Sequence, residues 1–147
     1  MLTDVLRRLP HRYPMLLVDR VVDVVPGESL TALKAVSANE PWCAEPGDLP
    51  STLLVESWCQ AAVLLASWEE PDRDRVVLLG AITDVEFLRP VAPGCVVRHS
   101  VRVLDVRGDV VAFTGRSEAD GQVVMTVGRV VTTARAAADL RAGGPAS

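Results

Sequence analysis

Hydrophobic positions fall into two regimes along the chain. From Met15 to Val25 the sequence is dense in Leu and Val, Pro26-Gly27 interrupts it, and Ser29 to Val36 resumes an extended pattern. A proline–glycine break between two apolar extended runs predicts a β-hairpin. Asn39 to Pro50 then holds three prolines and a glycine among polar residues and reads as a loop. Beyond it, Leu53 to Trp68 has neither Gly nor Pro and is apolar on nearly every side, which predicts a buried helix, with Ser51 or Thr52 as its cap and Pro71 as its stop. Glu56 and Gln60 stand four residues apart in that helix, so they share one face and form a polar seam on an apolar rod.

The second half alternates in the manner of strands. Val76 to Val91, Val96 to Val106, Val110 to Ser117 and Gln122 to Thr133 are rich in valine, and turn residues lie between them at Pro90 to Gly94, Gly108-Asp109 and Asp120-Gly121. Four strands joined as an antiparallel meander are the simplest account. One long helix is too few for a parallel sheet built of βαβ units, so an α+β fold follows, with the sheet curled around the helix. Such a sheet leaves an edge, which predicts pairing with a second subunit. Residues 1–134 are read as one domain and the Ala- and Gly-rich residues 135–147 as a flexible C-terminal tail.

Composition narrows the function classes. The 147 residues suit one domain, and 49% hydrophobic against 23% charged residues argues for a packed core. A net charge of −4, with arginines scattered among acidic residues, gives no basic face for nucleic acid. The longest apolar run, Ala61 to Ala66, is far short of the roughly 20 residues of a membrane span, and Met1 to Arg8 lacks the features of a secretory signal. Cys43, Cys59 and Cys95 are odd in number and lack close-pair metal spacing, which points to reduced thiols in a cytoplasm rather than to disulfides or zinc; no metal and no cofactor are expected.

Four segments carry a likeness. They are Leu9-Pro10-His11-Arg12-Tyr13-Pro14-Met15-Leu16-Leu17-Val18-Asp19-Arg20, Asn39-Glu40-Pro41, Leu53 to Ala62 on the helix, and Asp84 to Gly94 on a strand and its turn. Together they resemble the FabZ-type (3R)-hydroxyacyl-ACP dehydratases over nearly the whole chain. The resemblance implies a hotdog fold, a long central helix wrapped by an antiparallel sheet of about five to six strands, dimerised with acyl tunnels at the subunit interface. It also implies lyase chemistry: loss of water from a β-hydroxyacyl thioester carried on acyl carrier protein, in fatty-acid or polyketide biosynthesis. In that family a loop histidine and a helix glutamate act together, and a glycine N–H at the helix start polarises the thioester carbonyl. By position Glu56 is the catalytic glutamate, Gln60 orients it, and Ser51 replaces the glycine while still offering a backbone N–H. Tyr13 and Trp58 line the acyl tunnel or fill the core.

The sequence departs from that pattern at the loop. Asn39 to Ser51 contains no histidine, and the segment is shorter than the family's. Elimination from a thioester needs a base for the α-proton and an acid for the departing hydroxyl, and one positioned group of this kind contributes about 10²–10⁴-fold in rate. The first reading is therefore a catalytically impaired, thioester-binding subunit, forming a homodimer or a heterodimer with another hotdog subunit that supplies the missing group. The alternative is an active enzyme: a dehydratase or isomerase with an atypical mechanism, or a hotdog acyl thioesterase in which Glu56 activates water. His11 is expected to be a structural loop residue. His99 alternates with Val97, Val101 and Val103 and is expected to be a satisfied core histidine. Cys43, Glu45 and Asp48 are expected to be solvated loop residues, and Arg107-Gly108-Asp109 a hairpin turn.

Overall fold

A computed structural model of the chain describes residues 2–42, 47–69 and 74–142. In chain order the elements are α1 (Leu2–Arg8), β1 (Arg20–Val25), β2 (Ser29–Ala35), α2 (Ser51–Ala66), β3 (Arg75–Phe87), β4 (Val96–Arg107), β5 (Val110–Ala119), β6 (Gln122–Ala136) and α3 (Ala137–Ala142). All six strands form one antiparallel sheet in the order β1-β2-β4-β5-β6-β3. The expected hairpin is β1–β2, turning at Gly27 with φ 73°. Strands β4, β5 and β6 form the expected meander, and Asp120 and Gly121 both adopt positive φ in the tight turn joining β5 to β6.

Strand β3 leaves the meander. Instead of lying beside β4 it pairs with β6 at the far edge, from Arg75 opposite Ala136 to Phe87 opposite Met125. Residues 88–95 do not turn back tightly but run from one edge of the sheet toward the other. That segment is tied in turn to β6 by Leu88 N–H to Val124 O (2.9 Å), to the approach to α2 by Leu49 N–H to Val91 O (2.8 Å), and to the end of β2 by Gly94 N–H to Val36 O (2.8 Å). The chain thus crosses to the opposite side of the sheet before β4 begins next to β2.

Helix α2 lies against this sheet. Leu54, Trp58, Ala61, Ala62, Leu64 and Leu65 are buried in one core with Leu30, Ala32, Val97, Val101, Phe113, Met125 and Val127 from the strands. Trp58 is completely buried and its indole N–H donates to Ser100 O at 3.1 Å. Gly115 makes the close approach feasible, since a β-carbon there would collide with the Ser100 carbonyl and come within 2.9 Å of the Trp58 ring.

Four local expectations change. The N-cap of α2 is Pro50, with no side-chain capping bond, so neither Ser51 nor Thr52 caps it. The helix ends at Ala66, where the Ser67 hydroxyl donates to Val63 O at 2.8 Å, and Pro71 lies outside the described residues. Helix α1 has no counterpart in the sequence reading; it is anchored by Val5, with Leu9 just past its end, both buried. The segment read as a tail from residue 135 holds the end of β6 and the whole of α3.

Candidate functional site

Gln60 organises the polar seam of α2. Its amide is buried and fully used: Oε1 accepts the Leu17 N–H at 2.8 Å, while Nε2 donates to Met15 O at 2.7 Å and to Glu56 Oε1 at 3.1 Å. Reversing the amide would set its oxygen against a carbonyl and a carboxylate, so its orientation is fixed by its partners. One turn back, the Ser57 hydroxyl donates to Leu17 O at 2.6 Å. Both polar backbone groups of Leu17 are therefore bonded to α2, and residues 15–17 are stapled along the helix.

The staple delivers a histidine to the glutamate. Arg12 donates to the carbonyls of Leu6 (2.9 Å), Leu9 (2.7 Å) and His11 (2.7 Å), closing the turn that follows α1. Within that turn His11 Nε2 lies 3.5 Å from Glu56 Oε1, the two side chains being 29% and 35% exposed. His11 Nδ1 is buried without a hydrogen-bond partner among the described residues. From the sequence His11 is expected to be a structural loop residue; the fold places it beside Glu56. The reason is non-local, because Gln60 and Ser57 draw the 15–17 segment onto the helix and His11 follows.

The other predicted residues lie in contrasting surroundings. Ser51 is the exposed first residue of α2, and with Pro50 O taken by the Leu53 and Leu54 N–H groups (3.0 and 3.1 Å), the N–H groups of Ser51 and Thr52 are the outward donors of the helix start. Trp58 is wholly inside the core, and Tyr13 is 81% exposed. Cys43 and Glu45 lie outside the described residues, and Asp48 is exposed. Cys59, next to this seam, is buried, and its thiol is pushed up to about 12, mainly by loss of solvent and then by the Glu56 carboxylate.

His99 is a sealed strut. Its ring is wholly buried, with Nε2 2.7 Å from Ser57 Oγ and Nδ1 2.7 Å from Ser117 Oγ. Ser57 gives its only proton to Leu17 O, so Nε2 must carry a hydrogen and donate to Ser57, leaving Nδ1 to accept from Ser117. Burial, then the nearby Lys34 ammonium, pushes this imidazole down to about 3, so it stays neutral. Lys34 is buried and ion-paired with Glu40 of the Asn-Glu-Pro motif, whose other oxygen accepts the Trp42 indole N–H at 2.9 Å. This cluster anchors the start of the altered loop and was missed in the sequence, although a lysine at the inward position after Leu30 and Ala32 was a visible signal. Among the described residues no group of three His, Cys, Asp or Glu side chains is arranged to hold a metal, and no helix is long and apolar enough to cross a membrane.

A long helix laid on a six-stranded antiparallel sheet is the hotdog arrangement. The FabA-like domain model matches residues 9–128, and the chain belongs to that family. It is 40% identical over 129 residues to the 3-hydroxyacyl-acyl-carrier-protein dehydratase FabZ of Shewanella pealeana, covering 82% of this chain and 84% of that protein. The FabZ of Aromatoleum aromaticum is 37% identical over 131 residues, covering 83% and 89%. Among solved structures, the dehydratase heterocomplex ApeI:P from Xenorhabdus doucetiae contains a chain that superposes with a TM-score of 0.79 at 23% identity, over 94% of this chain and 95% of that one.

Proposed function

We propose that the chain acts on 3-hydroxyacyl thioesters carried by acyl carrier protein, as a dehydratase-type subunit of fatty-acid or polyketide synthesis in the cytoplasm, with Glu56 as its proton-transferring group. The observation that carries this reading is the Glu56 carboxylate: it is held by Gln60 on an otherwise apolar helix, yet remains about one-third open, in a chain 40% identical to a FabZ dehydratase. A carboxylate held in place by a hydrogen bond and still open on one side can meet the α-proton of a bound thioester. In the elimination the α-proton leaves to a base, its C–H electron pair becomes the Cα=Cβ bond, and the hydroxyl departs with an added proton as water. The Ser51 N–H at the start of α2 is suited to polarise the thioester carbonyl.

The subunit works in a pair. Edge strand β3 has 13 residues and exposes Leu79, Ile82 and Phe87, the kind of surface that a second hotdog chain covers by strand pairing. Pairing of unlike chains has a precedent in the ApeI:P heterocomplex. The loop from Asn39 to Ser51 brings no imidazole, so the second acid/base group comes either from a partner chain or from elsewhere in this one.

One assay separates the readings. The purified chain is given a 3-hydroxyacyl thioester on acyl carrier protein, alone and mixed with a histidine-bearing hotdog dehydratase, and products are followed by mass spectrometry. Loss of water is expected, falling by about 10²–10⁴-fold in Glu56→Gln. Release of free acid would instead assign the thioesterase alternative, and no product in either mixture would refute a thioester-processing site.

A further inference from the structure

We infer that His11 is the second acid/base group of the Glu56 site. This rests on the proposed reading of Glu56 as a group that exchanges protons with a 3-hydroxyacyl thioester. The chain has two imidazoles. His99 is withdrawn from chemistry, since both of its nitrogens are bonded to serines inside the core. His11 lies 3.5 Å from Glu56 Oε1 with its side chain 29% exposed. Its other nitrogen, Nδ1, is buried without a hydrogen-bond partner among the described residues, which leaves Nε2, on the Glu56 side, as the atom that can exchange a proton. What holds it is the backbone around it: Arg12 bonds the His11 carbonyl, and Gln60 and Ser57 fasten Met15 and Leu17 to the helix that carries Glu56.

The pair is chemically sufficient for a syn elimination. Ionised Glu56 takes the α-proton, the C–H electron pair forms the double bond, and the C–O bond breaks as the His11 imidazolium gives its Nε2 proton to the leaving hydroxyl. Enoyl thioester and water are then free to depart. Protonated Glu56 returns its proton to the neutral imidazole across the short gap between them, and the starting state is restored with no other reactant. The two reacting positions of the substrate are on adjacent carbons, so two groups in near contact on one side of it can serve both.

The test uses the full chain and 3-hydroxyacyl-N-acetylcysteamine thioesters of short and medium length, with enoyl product measured by absorbance. His11→Gln is expected to lower kcat by about 10²–10⁴-fold with little change in KM. The His11→Gln/Glu56→Gln double variant is expected to be little worse than either single variant, because residues acting as a unit do not add. His11→Gly is expected to regain part of its rate on addition of free imidazole, which a residue that only supports the loop would not do. Circular dichroism checks that each variant is folded, and the imidazole arm decides the matter if His11→Gln proves unstable. Turnover that appears only on mixing with a second hotdog chain, and is unaltered by His11→Gln, would overturn the assignment while keeping the proposed function. Absence of turnover in every mixture would overturn both.

Discussion

The helix α2 meets the rest of the chain in two ways, each organised by a histidine. Where it faces the sheet, Ser57 touches His99, which touches Ser117, and the whole chain of contacts is buried. Where it faces residues 9–17, Gln60 touches Glu56, which touches His11, and the contacts reach the surface. The same imidazole has both nitrogens bonded in the first setting and one buried nitrogen without a partner among the described residues in the second. Ser57 belongs to both, since its hydroxyl proton goes to Leu17 O on the outer segment while its oxygen accepts from His99. The difference teaches that the surroundings, more than residue type, decide how many hydrogen bonds a histidine makes and how far solvent reaches it.

The largest effect expected from breaking this comparison is on stability. His99→Leu leaves the Ser117 hydroxyl without its acceptor inside the core and should cost about 2–4 kcal/mol, whereas His11→Gln at the rim should cost less than about 1 kcal/mol. Acid sharpens the contrast. His99 is pushed down to about 3 in the folded chain, by burial first and Lys34 second. An unfolded chain binds a proton there below about pH 6.5, so the stabilising contribution is complete above that pH and is lost as pH falls toward the folded value. Urea unfolding at pH 7 and pH 5 should therefore show the gap between wild type and His99→Leu narrowing by about 2 kcal/mol. A gap independent of pH would show that His99 is not held neutral.

Much of this arrangement was legible in the sequence, and what was not has identifiable causes. The buried helix, the shared face of Glu56 and Gln60, and the core position of His99 all follow from periodicity within one element, which is local information. The edge position of β3 depends on where residues 88–95 cross, and that is set by bonds to Val36, Leu49 and Val124. The approach of His11 to Glu56 is equally non-local, as it depends on Gln60 and Ser57 holding a segment some forty residues earlier. Helix α1 is only 7 residues long, too short for a periodic signal to stand out. The cap of α2 was misread because two hydroxyl residues follow Pro50, while the proline itself takes the capping position.

A middle-sized effect separates the two serines. Ser117→Ala removes one hydrogen bond to His99 and should lower stability by about 1 kcal/mol, with the Glu56 site untouched. Ser57→Ala removes the same kind of bond but also leaves Leu17 O unbonded, which loosens the segment leading back to His11. Stability should fall by about 1–3 kcal/mol and thioester turnover by roughly tenfold. Parallel melting curves and rates for the two variants provide the check. If Ser117→Ala lowers turnover as much as Ser57→Ala does, the sealed network and the outer pair are one unit.

The smallest effect tests how sealed the inner side is at its boundary with Glu56. Cys59 sits one turn from Glu56, and its thiol is pushed up to about 12 by burial first and the carboxylate second. At pH 8 only about one molecule in 10⁴ would then carry the thiolate that reacts with an alkylating agent. Iodoacetamide at pH 8 should leave Cys59 unmodified in the native chain while labelling it readily in urea, as read by peptide mass spectrometry. Glu56→Gln removes the lesser cause and leaves the greater, so native Cys59 should stay unreactive in that variant too. Rapid native labelling that appears only in Glu56→Gln would mean that the carboxylate, not burial, suppresses the thiolate, and that this side of α2 is open to solvent at the level of the site.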